Sequence, residues 1–253
     1  MRKLMLLAAL AAPLAQAESL EVGAHSMLRL PSKSSSVHLE RVEVADSATL
    51  LLPATLTALK IDHLVMGRDA RIAIAPAPSA LSIEAGTAVL GPGSEISAPG
   101  AAGTYQRPAR PGRDLDLRLQ TLEAEQLMID ARGGAGAPGF AGLDGGTGSA
   151  GGCTWGTASR GANGDNGGDG HDGAAGGRVR LAVPGDFPAE RIQVRVEGGA
   201  PGQPGAAGKA GQGGASKGCL VYRTAAGSAG RAGLPGQPGL AGAAGELILQ
   251  TIR

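Results

Sequence analysis

The chain has too few large side chains for a core of the ordinary kind. Phe, Tyr and Trp together make up 2% of its 253 residues, whereas glycine alone accounts for 44 of them. A compact domain of this length normally buries many bulky apolar groups. The composition therefore indicates that part of the chain is ordered by backbone contacts rather than by side-chain packing.

The chain also lacks excess charge, and its only long apolar run lies at the start. Residues 1–17, MRKLMLLAALAAPLAQA, have a basic start, an apolar run and small residues at Ala15 and Ala17. This is the pattern of a secretory signal peptide, and the run is too short to span a bilayer. Without Arg2 and Lys3 the 23 basic residues fall to 21 against 22 acidic ones, a balance that gives no general attraction to nucleic acid or anionic membrane. We expect export to the periplasm, the cell surface or the medium, without a membrane span.

Glycine returns at every third position in two matched regions, residues 133–177 and 198–245. This period is that of the polyproline II helix, which has three residues per turn. The glycines then form a bare stripe along which backbones can approach closely. We interpret each region as a hairpin of two extended arms.

Each region breaks once, at Cys153 with Trp155 and at Cys219 with Tyr222. The two breaks occupy corresponding places, so both hairpin tips should sit at the same height. An exported chain can form disulfides, and the sequence therefore predicts a bond between Cys153 and Cys219.

The same period is the signature of collagen, and a trimeric collagen-like segment remains the main alternative. The glycine runs are short, come in pairs, and return to strand-like sequence at 178–183 and 246–253. These features favour an intramolecular bundle and a monomer, with a trimer or a disordered linker as alternatives.

The doublets of glycine resemble those of polyglycine-II bundle proteins, a group that includes the snow-flea antifreeze protein and the tip adhesins of some phage long tail fibres. They lie at 133–134, 145–146, 151–152, 167–168 and 176–177. The resemblance covers less than half of the chain. It implies a packed antiparallel bundle whose exposed faces bind a ligand, but it does not choose between ice, glycan and protein.

Residues 18–132 contain short runs of β-branched residues and leucine, separated by Gly, Pro and Asp. The segments beginning at Leu59 and Leu81 align with an offset that starts at 22 and becomes 24. A period of about 22 is typical of a β-solenoid, and a β-sandwich is the alternative. The predicted fold is therefore all-β: a solenoid-like platform over 18–132, continued by 178–197 and 246–253, that carries the two polyproline-II-like hairpins.

Four apolar residues of the predicted bundle are candidates for binding: Phe140 and Leu143 on the first arm, and Leu234 and Leu240 on the fourth. If these two arms are neighbours, the four side chains would lie at similar distances above the platform and would form one patch. Such a patch either staples two arms together or, with Trp155 and Tyr222 at the tip, forms a recognition surface.

Arginine also recurs every third residue, at Arg107, Arg110 and Arg113. In a polyproline II conformation these side chains would share one face, which could bind an anionic glycan or a lipopolysaccharide phosphate. The alternative is a solvated basic loop, and we favour it.

A polar column on the second arm contains Asn163, Asn166, Asp169 and Asp172. Residues 167–172, GGDGHD, match the calcium-binding repeat GGxGxD once. Neighbouring side chains of the column, however, would lie about 9 Å apart, which is too far for two of them to bind the same ion directly. We expect a solvated acidic edge, a second arm at the outside of the bundle, and no metal site.

The four histidines and two cysteines fall in no recognisable catalytic or metal motif. The expectation is a non-enzymatic, adhesin-like or structural protein without a cofactor, which binds a cell-surface glycan or protein and no nucleic acid. Ice binding is the alternative, although the arms contain little threonine. A pectin-lyase-like enzyme would need a cluster of Asp or basic residues on one rung face, which the sequence does not reveal.

Overall fold

The computed structural model describes residues 19–31, 34–154 and 156–252. The expected signal peptide and Trp155 lie outside these residues. Within them the protein is all-β, with thirteen strands and a single short 3-10 helix at Ala189–Arg191. No helix in the described ranges is long and apolar enough to cross a bilayer.

The strands fall alternately into two sheets. The seven-stranded sheet contains, in spatial order, β1 (Ser19–Val22), β3 (Ser36–Val44), β5 (Ala58–Met66), β7 (Leu81–Leu90), β9 (Leu115–Ala124), β11 (Val179–Pro184) and β13 (Leu247–Ile252). The six-stranded sheet contains β12 (Ile192–Arg195), β10 (Leu127–Asp130), β8 (Glu95–Ser97), β6 (Arg71–Ile74), β4 (Thr49–Leu52) and β2 (Met27–Arg29). The chain thus alternates between the sheets as it advances.

All strand pairs within the two sheets are parallel. An antiparallel β-sandwich, the alternative that the sequence allowed, is therefore not the arrangement. Parallel strands need a crossover between them, and here the crossover from one strand to its neighbour is a strand of the other sheet.

The register follows the recurrence seen in the sequence. Val42 pairs with Leu64, and Leu64 pairs in turn with Ala88. The offset between paired strands is therefore 22 residues (64 − 42) and then 24 residues (88 − 64), the two values found in the sequence. Leu59 pairs with Ile83 rather than with Leu81, where the sequence alignment placed it. Both offsets are even, so either register keeps the same residues facing inward, and the extra length is accommodated in the corner before β7.

Alternate residues of the strands point between the sheets and form one core. Among the fully buried side chains are Leu39, Leu50, Ile61, Ile72, Ile83, Ile96, Leu117, Ile129 and Leu181. Each such side chain contributes about 1.5–3 kcal/mol on burial. The buried core of the described residues thus contains no aromatic side chain, and Phe187 packs against it only as a partly buried residue.

Every glycine-rich segment is inserted at a crossover between the sheets. A short excursion at 98–113 joins β8 to β9, the segment 131–178 joins β10 to β11, and the segment 196–246 joins β12 to β13. The three insertions leave from successive strands of the stack, so their bases lie side by side.

Candidate functional site

The two long insertions form four extended arms: the first at 133–151, the second at 161–176, the third at 199–214 and the fourth at 227–245. Glycine N–H groups of the first arm donate to carbonyls of the third, as in Gly139 to Gln203 at 2.8 Å. Glycines of the second arm donate in the same way to the fourth, as in Gly167 to Leu234 at 2.8 Å. These two pairs of arms are parallel, whereas arms that are consecutive in the chain are antiparallel.

The second and third arms are the inner pair. They bond to each other, and each also bonds to both the first and the fourth arm. No backbone hydrogen bond among the described residues joins the first arm to the fourth. The condition for one patch of their apolar side chains, that the first and fourth arms are neighbours, is therefore not met, and the expectation that the second arm lies at the outside is wrong.

The glycines of the arms are required by space rather than by conformation. The positive-φ glycines among the described residues are Gly93 and Gly156, and neither lies in an arm. A β-carbon on Gly205 would collide with the carbonyl oxygen of Phe140, and one on Gly208 with that of Leu143. Gly146 is an exception, because a β-carbon there would meet nothing within 4 Å.

The polar column of the second arm has a structural role that sequence reasoning missed. Its four side chains each accept a hydrogen bond through Oδ1 from a backbone N–H of the fourth arm, at 2.7–2.9 Å. The pairs are Arg231 N–H to Asn163, Leu234 N–H to Asn166, Gln237 N–H to Asp169 and Leu240 N–H to Asp172. The column is exposed, as predicted, but it satisfies amides that the glycine network does not use.

Removing two of these acceptors should loosen the fourth arm. We expect the double change Asp169→Ala and Asp172→Ala to lower the free energy of unfolding by about 1–3 kcal/mol, because each lost hydrogen bond costs about 0.5–1.5 kcal/mol. Asp169→Asn with Asp172→Asn keeps both Oδ1 acceptors and should stay within about 0.5 kcal/mol of the parent. Denaturant unfolding measures both variants, and equal losses in the two would contradict the assigned role.

The excursion at 98–113 packs against the base of the first arm. Gly100 N–H donates to Arg132 O at 2.8 Å, and Gly103 N–H donates to Ala135 O at 2.7 Å. Gly134 N–H donates in turn to Arg110 O at 2.9 Å. The excursion is therefore a further layer of the bundle, and the doublet at 133–134 marks the place where the first arm meets it.

The three arginines of this excursion do not share a face. Arg107 and Arg110 are exposed, whereas Arg113 is 1% exposed. The candidate basic face of these three residues is therefore wrong, because the chain turns back into the core between Arg110 and Arg113.

The guanidinium of Arg113 donates to backbone carbonyls at corners between the two sheets. Nε donates to Ser79 O at 2.9 Å, Nη1 donates to Ala75 O at 3.3 Å, and Nη2 donates to Leu56 O. Burial lowers the pKa of this side chain, because a low-dielectric environment disfavours the charged form. Arg113 thus joins corners of the chain that are far apart in sequence.

Charged side chains also form a ladder beneath the first and third arms. Arg71 and Arg195 both donate to the buried carboxylate of Glu95, and Arg132 donates to Asp130 at 2.8 Å. Burial opposes ionisation of Asp130, but the hydrogen bonds from Arg132 prevail and hold its pKa below the usual value. These arginines are paired with carboxylates, so the ladder joins β6, β8, β10 and β12 of the six-stranded sheet at the base of the first and third arms.

The tips of the two hairpins are joined by a disulfide between Cys153 and Cys219, as the sequence predicts. Tyr222 Oη donates to Cys153 O, and Cys219 N–H donates to Tyr222 O at 2.7 Å. Tyr222 is 52% exposed, so its ring is partly available while its hydroxyl ties the hairpins together. Trp155, the other aromatic assigned to the tip, lies outside the described residues.

Loss of the disulfide should destabilise the bundle. The bond closes a separation of 66 residues, worth roughly 4 kcal/mol in the chain-entropy account. We expect the double change Cys153→Ser with Cys219→Ser to lower the free energy of unfolding by up to that amount. The stability of this variant should equal that of the parent protein measured under reducing conditions. Mass spectrometry of the unreduced monomer should show the linked peptides, whereas a free thiol at either position would contradict the assignment.

The tip exposes apolar residues that sequence reasoning overlooked. Leu220 is 103% exposed and Val221 is 88% exposed, and both lie between Cys219 and Tyr222 in a turn closed by the pairing of Gly218 with Arg223. The signal was present in the sequence as three consecutive apolar residues in an otherwise small and polar hairpin.

The four apolar candidates of the arms are exposed, and the second arm separates the pair on the first arm from the pair on the fourth. Phe140, Leu143, Leu234 and Leu240 are 64%, 73%, 68% and 71% exposed. Asp165 N–H donates to Leu143 O, and Leu234 N–H donates to the side chain of Asn166. Leu143 and Leu234 are therefore level with each other, but the second arm runs between them with its polar side chains.

Two depressions lie near the base of the bundle. One, of about 280 Å³, is lined by Pro76, Ala77, Pro78, Arg110 and Pro111. The other, of about 440 Å³, lies where the first and third arms begin, beside Arg132, Arg195 and Glu197. No group of three or more His, Cys, Asp or Glu side chains in the described ranges is placed to hold a metal ion.

Comparison of the chain with protein-family models, with curated proteins and with solved structures finds no match. A functional conclusion therefore depends on the geometry of the bundle and of its tip.

Proposed function

We propose that the protein is an exported, non-enzymatic binding protein of the cell surface or envelope, in which a β-solenoid platform carries a polyglycine-II-like bundle as a rigid spacer. The parallel sheets and the regular stacking of Val42 on Leu64 and of Leu64 on Ala88 support the solenoid. Interlocking glycine hydrogen bonds at every third residue support the bundle. Because these bonds lie within one chain, the bundle needs no partner chains, and we favour a monomer over a collagen-like trimer.

The dimensions of the bundle suit a spacer. A rise of about 3.1 Å per residue over the 18 steps from Gly133 to Gly151 would place the tip roughly 55 Å from the sheets. Arg113 fastens the excursion at the base to corners between the sheets, and the disulfide closes the far end. A rigid arm of this kind holds its end group away from the body at little cost in conformational entropy on binding.

The observation that carries the proposal is the exposure of Leu220 and Val221 at the end of this arm. Apolar side chains presented together on a polar surface commonly mark a contact site. Their neighbours Cys219 and Tyr222 are held by the disulfide and by hydrogen bonds, so the turn is already ordered before a ligand arrives.

Binding of the labelled, purified protein to whole cells and to immobilised glycans tests the proposal. We expect saturable binding to at least one surface, reduced at least tenfold by Leu220→Ser with Val221→Ser. The matched control is Leu234→Ser with Leu240→Ser, which removes two exposed side chains of similar size from the fourth arm and should bind like the parent. Absence of saturable binding, or equal binding by the tip variant, would contradict the proposal.

A further inference from the structure

We propose that the tip of the bundle binds anionic lipid headgroups and inserts Leu220 and Val221 shallowly into a bilayer. This inference rests on the proposed binding role of the tip and names its partner class. It concerns contact with a membrane surface and involves no segment that crosses the membrane.

Charge at the far end of the bundle has one sign. Residues 147–160 and 212–230 contain Arg160, Lys217 and Arg223 and no Asp or Glu. The acidic side chains of the bundle, such as Asp144, lie nearer the base. Arg160 donates to Ala229 O and to Asn163 Oδ1 further down the bundle, so the turn itself presents two cations, Lys217 and Arg223, although the chain as a whole is close to neutral.

Apolar residues lie between two of these cations. The turn reads Lys217-Gly-Cys-Leu-Val-Tyr-Arg223, and its two ends are held together by backbone bonds, including Thr224 N–H to Lys217 O at 2.9 Å. Lys217 and Arg223 enter this pairing through their backbones, which leaves their charged groups outside it. The turn thus carries the apolar Leu220 and Val221 at its apex and the basic Lys217 and Arg223 on its two sides. The aromatic ring of Tyr222, which is half-exposed, lies beside the apex.

This order of groups matches the layers of a membrane surface. Leucine and valine enter the acyl boundary, tyrosine prefers the headgroup level, and Lys and Arg bind anionic headgroups. The apex protrudes as a convex turn, so a deformable lipid surface can accommodate it without a complementary pocket. Because Lys217 and Arg223 repel a basic partner and gain nothing from a neutral one, charge complementarity favours an anionic surface.

Co-sedimentation with vesicles tests the inference, using phosphatidylcholine alone and phosphatidylcholine mixed with phosphatidylglycerol. We expect at least tenfold tighter binding to the anionic vesicles at low salt, weakening as salt is added because the headgroup charges are screened. Leu220→Ser with Val221→Ser should lower affinity at least tenfold on the anionic vesicles. Lys217→Gln with Arg223→Gln should lower it roughly fivefold per charge and flatten the salt dependence.

Two controls keep the experiment decisive. Both tip variants should melt like the parent protein, since the four altered side chains are exposed and lie at the apex, away from the core between the sheets. Leu234→Ser with Leu240→Ser should bind vesicles like the parent. Equal binding to both kinds of vesicle, or retention of binding by the tip variants, would overturn the inference.

The outcome is separable from that of the proposed function. If vesicles fail to bind while whole cells bind through the tip, and protease treatment of the cells abolishes that binding, the ligand is a protein: the lipid inference falls and the proposed function stands. If neither vesicles nor cells bind the protein, both fall.

Discussion

Replacing Arg113 by alanine is expected to lower the free energy of unfolding by about 3–5 kcal/mol. The change leaves a cavity at a site that is 1% exposed and removes the donors of three backbone carbonyls, those of Leu56, Ala75 and Ser79. The contact to Leu56 O is buried and the other two are part-buried; an acceptor left without a partner costs up to about 1–3 kcal/mol, partly offset because a buried charge is also removed. Denaturant unfolding measures the loss.

Arg107→Ala is the matched control for this change. Arg107 belongs to the same three-residue arginine period but is exposed, and its removal should change stability by no more than about 0.5 kcal/mol. Arg113→Lys should recover only part of the loss, because an ammonium group lacks the planar fork of donors that reaches three carbonyls. Equal stability of the Arg113→Ala and Arg107→Ala variants would contradict the assigned role.

Adjacent glycines in the first arm should respond to alanine in opposite ways. A β-carbon at Gly145 would collide with Ala162 O and lie 2.7 Å from Gly211 N, so Gly145→Ala must push the first arm away from both inner arms. Overpacking costs about 1–3 kcal/mol, and each broken hydrogen bond adds about 1 kcal/mol. We expect a loss of about 2–4 kcal/mol from these two costs together and rapid proteolysis within the bundle.

Gly146→Ala places the same methyl group one residue further on, where nothing lies within 4 Å. The backbone there has no positive φ, and alanine in place of glycine at a compatible position stabilises by about 0.4–1 kcal/mol through the unfolded state. Thermal unfolding of the two variants side by side makes the comparison. Similar losses for both would show that the arms do not pack in the observed register.

The sequence predicted those features that depend on local period. The three-residue glycine spacing predicted four extended arms, the matched positions of Cys153 and Cys219 predicted their bond, and the recurrence between the segments at Leu59 and Leu81 anticipated the stacking of parallel strands. Each of these follows from repeat length alone, which is readable along the chain.

Features that depend on contacts between distant arms were not predictable in this way. Bare glycine stripes look alike, so nothing local distinguishes an inner arm from an outer one, and the second arm was misplaced. Asn166 and Asp169 appeared to form a solvated edge because their partners are amides about 68 residues away. Arg113 appeared to be the third member of a basic face because the turn into the core is determined by the sheets.

Amide hydrogen exchange by NMR tests the folded-back bundle most directly. In the second arm both the glycine N–H groups and those of the following residues are bonded, as in Gly164 to Arg231 at 2.9 Å and Asp165 to Leu143 at 2.8 Å. The account therefore predicts slow exchange at two of every three residues of that arm, in a dilute monomer. Protection confined to one residue in three within a trimer, as a collagen triple helix would give, or no protection at all, would contradict it.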